Sequence, residues 1–352
     1  MSSLPETMRA SVLRAVGDIV VEERPVPTPA ADEVLIQVAS VGVCGSDVHY
    51  YEHGAIGPYV VKSPLILGHE ASGRIVAVGS GVDPARIGQR VAIEPQRPCR
   101  VCDHCRSGAY NLCPRMEFYA TPPIDGAFCE YVTIQDDFAF EIPDSISDHA
   151  AALMEPLSVG IAAVQKAGVG IGDTVLIAGG GPIGVITGQV ARAFGATDVL
   201  ISDIDPARRD LAASHGLRVI DPATTSTEGM DAHSFIDASG ATPAIVTGIR
   251  SVRPGGVVVL VGSADEIPLS VADIAMREVV VTGIFRYTNT WPIARTLLAT
   301  GKVELDSLVT HVYGLDEVEA ALTGEGTTGS LKRIVLPGVA SVPEHDVRAR
   351  RG

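Results

Sequence analysis

The chain has 352 residues, a formal net charge of −15, and a composition that is 46% hydrophobic and 20% charged. That balance supports a packed core and excludes a chain disordered throughout. The acidity excludes nucleic acid as a partner, because phosphate binding requires clustered Lys and Arg.

At roughly 150 residues per domain the length suggests two domains. The N-terminus has no apolar stretch behind a basic start, which predicts no secretory leader and a cytoplasmic protein. Up to about residue 155 the sequence reads as β-rich. Short apolar runs such as Glu33–Val38 and Gly73–Val78 are separated by Gly and Pro turns, with Pro25, Pro27, Pro29, Pro64, Pro84, Pro95 and Pro98 among the interruptions.

The pattern changes near Leu153. Apolar segments Val175–Ala178, Val199–Ser202, Arg218–Ile220, Phe235–Ala238, Val257–Val261 and Val279–Thr282 predict strands, and Pro182–Phe194 predicts a helix. Alternation of helices with continuously apolar strands implies an α/β fold, a doubly wound parallel sheet covered on both faces. Thr174–Ala191 carries no charge and is long enough to span a bilayer. Its five glycines, Gly179, Gly180, Gly181, Gly184 and Gly188, and Pro182 fit a buried strand, a tight turn and a helix start instead, so no membrane partner is expected. After Tyr287 a helix over Trp291–Ala299 and a last strand over Lys332–Leu336 predict a return to the first domain. The expected division is 1–155 with 286–352, and 156–285.

Gly179-Gly-Gly-Pro-Ile-Gly184 fits G-x-G-x-x-G, follows a predicted strand, and opens a predicted helix. Asp203 stands at the end of the next strand, 19 residues after Gly184, where a dinucleotide fingerprint places its acid. Gly179, Gly181 and Gly184 let the backbone turn and approach a pyrophosphate, and the helix start offers N–H groups to it. A carboxylate at 203 would accept from ribose hydroxyls and repel the extra phosphate of NADP, which predicts NAD. Asp205 adds to this, whereas Arg208 could accommodate a phosphate.

Cys99, Cys102, Cys105 and Cys113 are spaced C-x2-C-x2-C-x7-C. Four thiolates so close suit a closed tetrahedral zinc, a structural site with no open position. Arg97, Arg100, Arg106 and Arg115 could offset the negative charge. An iron–sulfur cluster is the rival, but its ferredoxin-type run has a shorter last gap and a second copy. Cys129 reads as a small buried residue. A second set, Cys44, His69 and Glu70, combines a soft thiolate, an imidazole and a carboxylate. Three such ligands would leave a fourth position open, the mark of a catalytic zinc.

With Gly42-Val-Cys-Gly-Ser-Asp-Val-His-Tyr50, Gly68-His-Glu-Ala-Ser-Gly73, Ala92-Ile-Glu-Pro95, Glu155-Pro-Leu-Ser-Val-Gly160, Gly181-Pro-Ile-Gly184 and Phe285-Arg-Tyr-Thr-Asn-Thr-Trp-Pro292, nearly the whole chain resembles the zinc-dependent medium-chain dehydrogenases. Within them it is similar to the polyol branch of sorbitol (L-iditol) and xylitol dehydrogenases. The resemblance implies a GroES-like β-rich catalytic domain beside a Rossmann domain, one catalytic and one structural zinc per chain, NAD, and a homotetramer. It implies that Cys44, His69 and Glu70 bind the catalytic zinc and that Asp47 orients His69. Glu155 would contact the zinc-bound water or the substrate; whether Glu70 or Glu155 is the direct ligand stays open. Tyr50, Arg286 and Tyr287 would bind polyol hydroxyls, and Ile183, Asp203, Arg208, Val261, Gly262 and Ser263 would contact NAD. Some animal sorbitol dehydrogenases lack the four structural cysteines present here.

The expected reaction is oxidation of a secondary hydroxyl to a ketone, its proton leaving through Ser46 and His49. The alternatives are a threonine or butanediol dehydrogenase of the same superfamily and, remotely, a non-catalytic NAD-binding protein. The identity of the polyol and the carbon oxidised stay open at this level.

Overall fold

The computed structural model describes residues 4–262, 266–324 and 330–343. The chain divides into two compact units, one of residues 1–155 with 305–352, the other of residues 156–304.

The first unit is built on strands. β1 (Thr7–Ala15) pairs antiparallel with β2 (Asp18–Pro25). A seven-stranded sheet is assembled around β3 (Glu33–Gly42), which is buried along most of its length. On one side of β3 come β4 (Glu70–Val78), β5 (Arg90–Ile93) and, after β6 (Tyr131–Gln135), which pairs with β3 itself, the edge strand β7 (Ala139–Glu141). Val34, Ile36, Val38, Val41, Ile75 and Ile93 from these strands enter one apolar core with Phe128 and Ile134. Their burial removes apolar surface from water at about 25 cal/mol per Å² and holds the sheet together. Helix α1 (Gly45–His53) leaves the end of β3 after Cys44, and helix α2 (Met154–Ala167) starts where the first unit gives way to the second.

The second unit is a six-stranded parallel sheet. In chain order it comprises β8 (Thr174–Ala178), β9 (Asp198–Ser202), β10 (Arg218–Ile220), β11 (Ala232–Asp237), β12 (Val252–Leu260) and β13 (Val280–Gly283). Spatially the order is β10-β9-β8-β11-β12-β13. This is the doubly wound arrangement, whose strand order reverses beside β8 and opens a crevice at the carboxyl ends of the strands. The uncharged run from Thr174 resolves into β8, a glycine turn and helix α3 (Pro182–Ala193). Among the described residues, no helix is long and apolar enough to cross a membrane. β12 starts at Val252 rather than Val257, with an irregular register against Ala232 and Ser234 that its Pro-Gly-Gly start makes room for.

Helix α4 (Trp291–Ala299) falls in the second unit, so the return to the first comes at 305 and not at the expected 286. The reason is a reciprocal pair of bonds. Gln189 on α3 donates to the Glu304 carbonyl at 3.0 Å and accepts from the Glu304 N–H at 2.9 Å. The returning chain supplies β14 (Val309–Gly314) and β15 (Lys332–Leu336), parallel to each other, and β15 closes antiparallel onto β3.

Candidate active site

Three elements of the first unit meet at one point. Cys44 caps the start of α1, His69 immediately precedes β4, and Glu70 is its first residue. One donor atom from each lies within 4.8 Å of the other two. Asp47, fully buried, ties the group together. Its Oδ2 accepts from the Cys44 N–H at 3.0 Å, its Oδ1 accepts from the Gly68 N–H at 2.9 Å, and the same oxygen lies 3.5 Å from His69 Nδ1.

The electrostatics fit a cation. Burial works to neutralise His69, but the Asp47 carboxylate and the Cys44 sulfur outweigh it and hold its pKa well above that of a free imidazole. Burial likewise raises Asp47, yet His69 and the two backbone donors hold it below the usual carboxylate range. Glu70 Oε2 is buried without a hydrogen-bond partner among the described residues. An orphaned carboxylate oxygen beside a thiol and an imidazole fits a zinc ion. Glu155, buried in the first turn of α2, falls outside this three-donor cluster.

Ser46 is half-buried and His49, one helical turn later, is exposed and stacked on His53 at 4.5 Å. Tyr50 is buried on the same helix. In the second unit, Arg286 has a left-handed backbone (φ 57°) and lies over the Phe285 ring at 4.8 Å. Tyr287 is buried edge-on to Trp291, 6.2 Å between centroids.

Cys99, Cys102, Cys105 and Cys113 converge within 4.8 Å. Sulfur–sulfur distances of 3.4 Å (Cys102–Cys105) and 3.9 Å (Cys99–Cys105) are far too long for disulfides. They match the ~3.8 Å edge of a tetrahedron with ~2.3 Å zinc–sulfur arms. A hydrogen bond from the Val101 N–H, with others against the cost of burial, lowers Cys99 to about 6. Of the four arginines expected to offset the thiolates, Arg115 donates to Cys99 Sγ at 3.2 Å. Arg97 instead pairs with Glu33 at 2.8 Å, and Arg100 pairs with Asp137, because these carboxylates lie on adjoining strands and turns of the β-rich unit.

The second unit carries the glycine turn between β8 and α3. Gly179 has φ 100°, and a Cβ on Gly184 would stand 1.8 Å from the Gly179 carbonyl, so both positions require glycine. Gly181, the N-cap of α3, has open space where its Cβ would be, a cradle suited to a phosphate. Ile183 follows in the first turn of α3, half-buried. Asp203 is buried at the end of β9. Its Oδ2 accepts from the Gly180 N–H at 2.6 Å and its Oδ1 from the Asp205 N–H at 2.8 Å, so it also holds the turn in shape. Arg208, exposed, approaches that Oδ2 at 3.8 Å. Val261 and Gly262 follow β12, and both N–H groups donate to the Asp237 carbonyl. Ser263 lies outside the described residues.

Three polar residues of these sites escape a reading by motif. Asp237 gathers the loop after β11 by accepting from Ser239 and Gly240. Glu94 lies buried, accepting from Tyr110 at 2.8 Å and Gln96 at 2.9 Å. Lys332, buried on β15, pairs with Glu70. The signal for Lys332 was its parity with Ile334, which places a lysine on an inward-facing position of the strand.

Residues 30–144 match the family described as alcohol dehydrogenase GroES-like domain, and residues 182–300 the family described as zinc-binding dehydrogenase. The chain is 43% identical to a sorbitol dehydrogenase of Bacillus subtilis, covering 91% of this chain and 94% of that one. It is 40% identical to a probable D-xylulose reductase A of Aspergillus clavatus, covering 96% and 98%. Its fold is similar to the crystal structure of 2R,3R-butanediol dehydrogenase from Bacillus subtilis, with a TM-score of 0.86 and 30% identity over 94% of this chain and 99% of the other. With both of its domains matched and its similarity running nearly end to end, the chain belongs to the zinc-binding dehydrogenase family.

Proposed function

We propose that this protein oxidises a secondary hydroxyl of a polyol such as sorbitol or xylitol to the ketose, using NAD, in the cytoplasm and as a homo-oligomer. The observation that carries the reading is the cluster of Cys44, His69 and Glu70 in a chain at least 40% identical, over more than nine-tenths of its length, to a sorbitol dehydrogenase and a D-xylulose reductase. Those identities exceed the 30% shared with the butanediol dehydrogenase and favour the polyol reading over that alternative.

Cys44, His69 and Glu70 would hold a catalytic zinc, and Cys99, Cys102, Cys105 and Cys113 a structural one. When bound, the catalytic ion supplies Lewis acidity that eases loss of the hydroxyl proton, and the nicotinamide takes up the hydride. The chain's own residues do the rest. Cys44 and Glu70 would bring two negative charges toward a divalent ion. Asp47 fixes the backbone on either side of the ligands and turns the His69 ring. Ser46 and His49, three residues apart on α1 and stepping from half-buried to exposed, suit transfer of the proton to solvent. Glu155, Tyr50, Arg286 and Tyr287 would bind the polyol. The left-handed backbone at Arg286 and Asn289 is the kind of local strain that clusters at ligand sites. A site that bonds several hydroxyls discriminates against simple alcohols, which would leave its polar groups unpaired.

Asp203 at the carboxyl end of β9 supports NAD over NADP, since a buried carboxylate repels a 2′-phosphate. Six free thiols suit a reducing compartment. The edge strand β13 exposes Val280 at 52%, and Phe285, two residues beyond the strand, is 49% exposed, which supports association with further copies; family resemblance suggests a tetramer. The test is the initial rate of reduced-cofactor formation with sorbitol, xylitol, L-arabinitol, ribitol, galactitol, threonine and 2,3-butanediol, each with NAD and NADP. Turnover of one or more polyols with NAD supports the reading, and turnover confined to threonine or butanediol would overturn it.

A further inference from the structure

Glu70 and Lys332 meet across a strand position that has no side chain. β3 lies between β4 and β15, and Gly42 on β3 pairs with Glu70 on one side and with Ile334 on the other. A Cβ at position 42 would stand 2.0 Å from Glu70 Oε2. Through this gap the buried Lys332 Nζ donates to Glu70 Oε1 and, at 3.0 Å, to the carbonyl of Val43, the neighbour of Cys44. The two oxygens of Glu70 are thereby distinguished. Oε1 is bonded to the ammonium, and Oε2 is buried with no hydrogen-bond partner among the described residues.

We propose that Lys332 is a positioning residue for the reaction: it fixes Glu70 by one oxygen, leaves the other for zinc, and cancels one of the two negative charges that the ligands bring to the ion. The inference rests on the reading of Cys44, His69 and Glu70 as the catalytic zinc site. Removing the ammonium leaves a buried carboxylate for which zinc is the remaining partner, so zinc is held more tightly. The ligand set also becomes more anionic, and the ion a poorer Lewis acid.

The experiment follows zinc release to a chelator and steady-state kinetics in wild type, K332M, K332Q and K332R. Gln keeps a donor and lacks the charge, and Arg keeps the charge. In K332M and K332Q, zinc release is expected to slow by about tenfold or more. kcat is expected to fall by about tenfold or more with KM for the polyol moved less than about threefold, and K332R is expected to recover both properties. Zinc release unchanged or faster in both uncharged variants overturns the proposal while leaving a zinc-holding, active wild type intact. A wild type that holds no zinc at this site overturns the proposal together with the reading beneath it. If the uncharged variants fail to accumulate in zinc-poor medium, accumulation in zinc-rich medium supports the proposal, because zinc then replaces the lysine as partner of Glu70. Failure in both media overturns it.

Discussion

Asp47 shows how much one side chain can settle at the scale of a residue. It reaches the backbone before α1, the backbone before β4, and the ring of His69. D47N keeps the shape of the side chain but loses the charge that holds the imidazole. We expect zinc affinity to fall about 10- to 100-fold, measured by chelator competition, with the fold intact by circular dichroism. The clustering of the proposed ligands was legible because they lie close together in sequence, with Cys44, Asp47, His69 and Glu70 spanning only two motifs. Lys332 was not, since 262 residues separate it from Glu70 and only the sheet brings them together.

Glu94 has a different consequence. Burial pushes its carboxyl up to about 8, against the opposing bonds from Tyr110 and Gln96, and the charges of Asp137 and Glu155 add to the rise. Its ordinary value is 4.5, so the folded state holds a proton there that the unfolded chain has released between those values. Stability from this group is therefore full below about 4.5 and declines as pH rises to about 8, by up to about 1.4 kcal/mol per pH unit. E94Q removes the titration and keeps the acceptor for Tyr110. Denaturant midpoints from pH 5 to 9 should fall less with rising pH in E94Q than in wild type, and equal slopes would refute the assignment.

Among the elements, the turn from β8 to α3 is the most fully written in the sequence. Gly179 is required by its positive φ and Gly184 by a close carbonyl, while Gly181 leaves an open cradle. Asp203 is expected from its position to be a partner for ribose, but its role as the acceptor that holds the Gly180 N–H, a bond reaching back 23 residues, was not legible. Both roles enter one prediction. D203S should narrow the preference for NAD over NADP by about tenfold or more in kcat/KM, the scale of a lost charge-assisted hydrogen bond. It should also weaken binding of both cofactors through a looser turn. A variant with an unchanged NAD to NADP ratio would contradict the role given to this carboxylate.

For the whole molecule, periodicity and apolar runs disclosed a parallel six-stranded sheet and a β-rich unit, because the burial of β8, β9 and β11 is printed in their own residues. The boundary between the units was harder. α4 has the pattern of a helix buried on one face, and that pattern does not say which core receives it. The deciding contact, Gln189 with Glu304, joins positions 115 residues apart. Arg97 and Arg100 misled for a related reason, since proximity to the cysteines in sequence gave them no claim over the acids that the strands placed beside them, whereas Arg115 does reach Cys99.

Everything proposed for the activity depends on Cys44, His69 and Glu70 holding the zinc at which the polyol would be oxidised. The most direct test is zinc content per chain, measured alongside NAD-dependent polyol oxidation, in wild type and C44S. The account predicts about two zinc ions in wild type and about one in C44S, the cysteine-rich site remaining filled, with kcat in C44S down by about a thousandfold or more. A C44S protein that keeps both ions, or that turns over polyols at the wild-type rate, would contradict it.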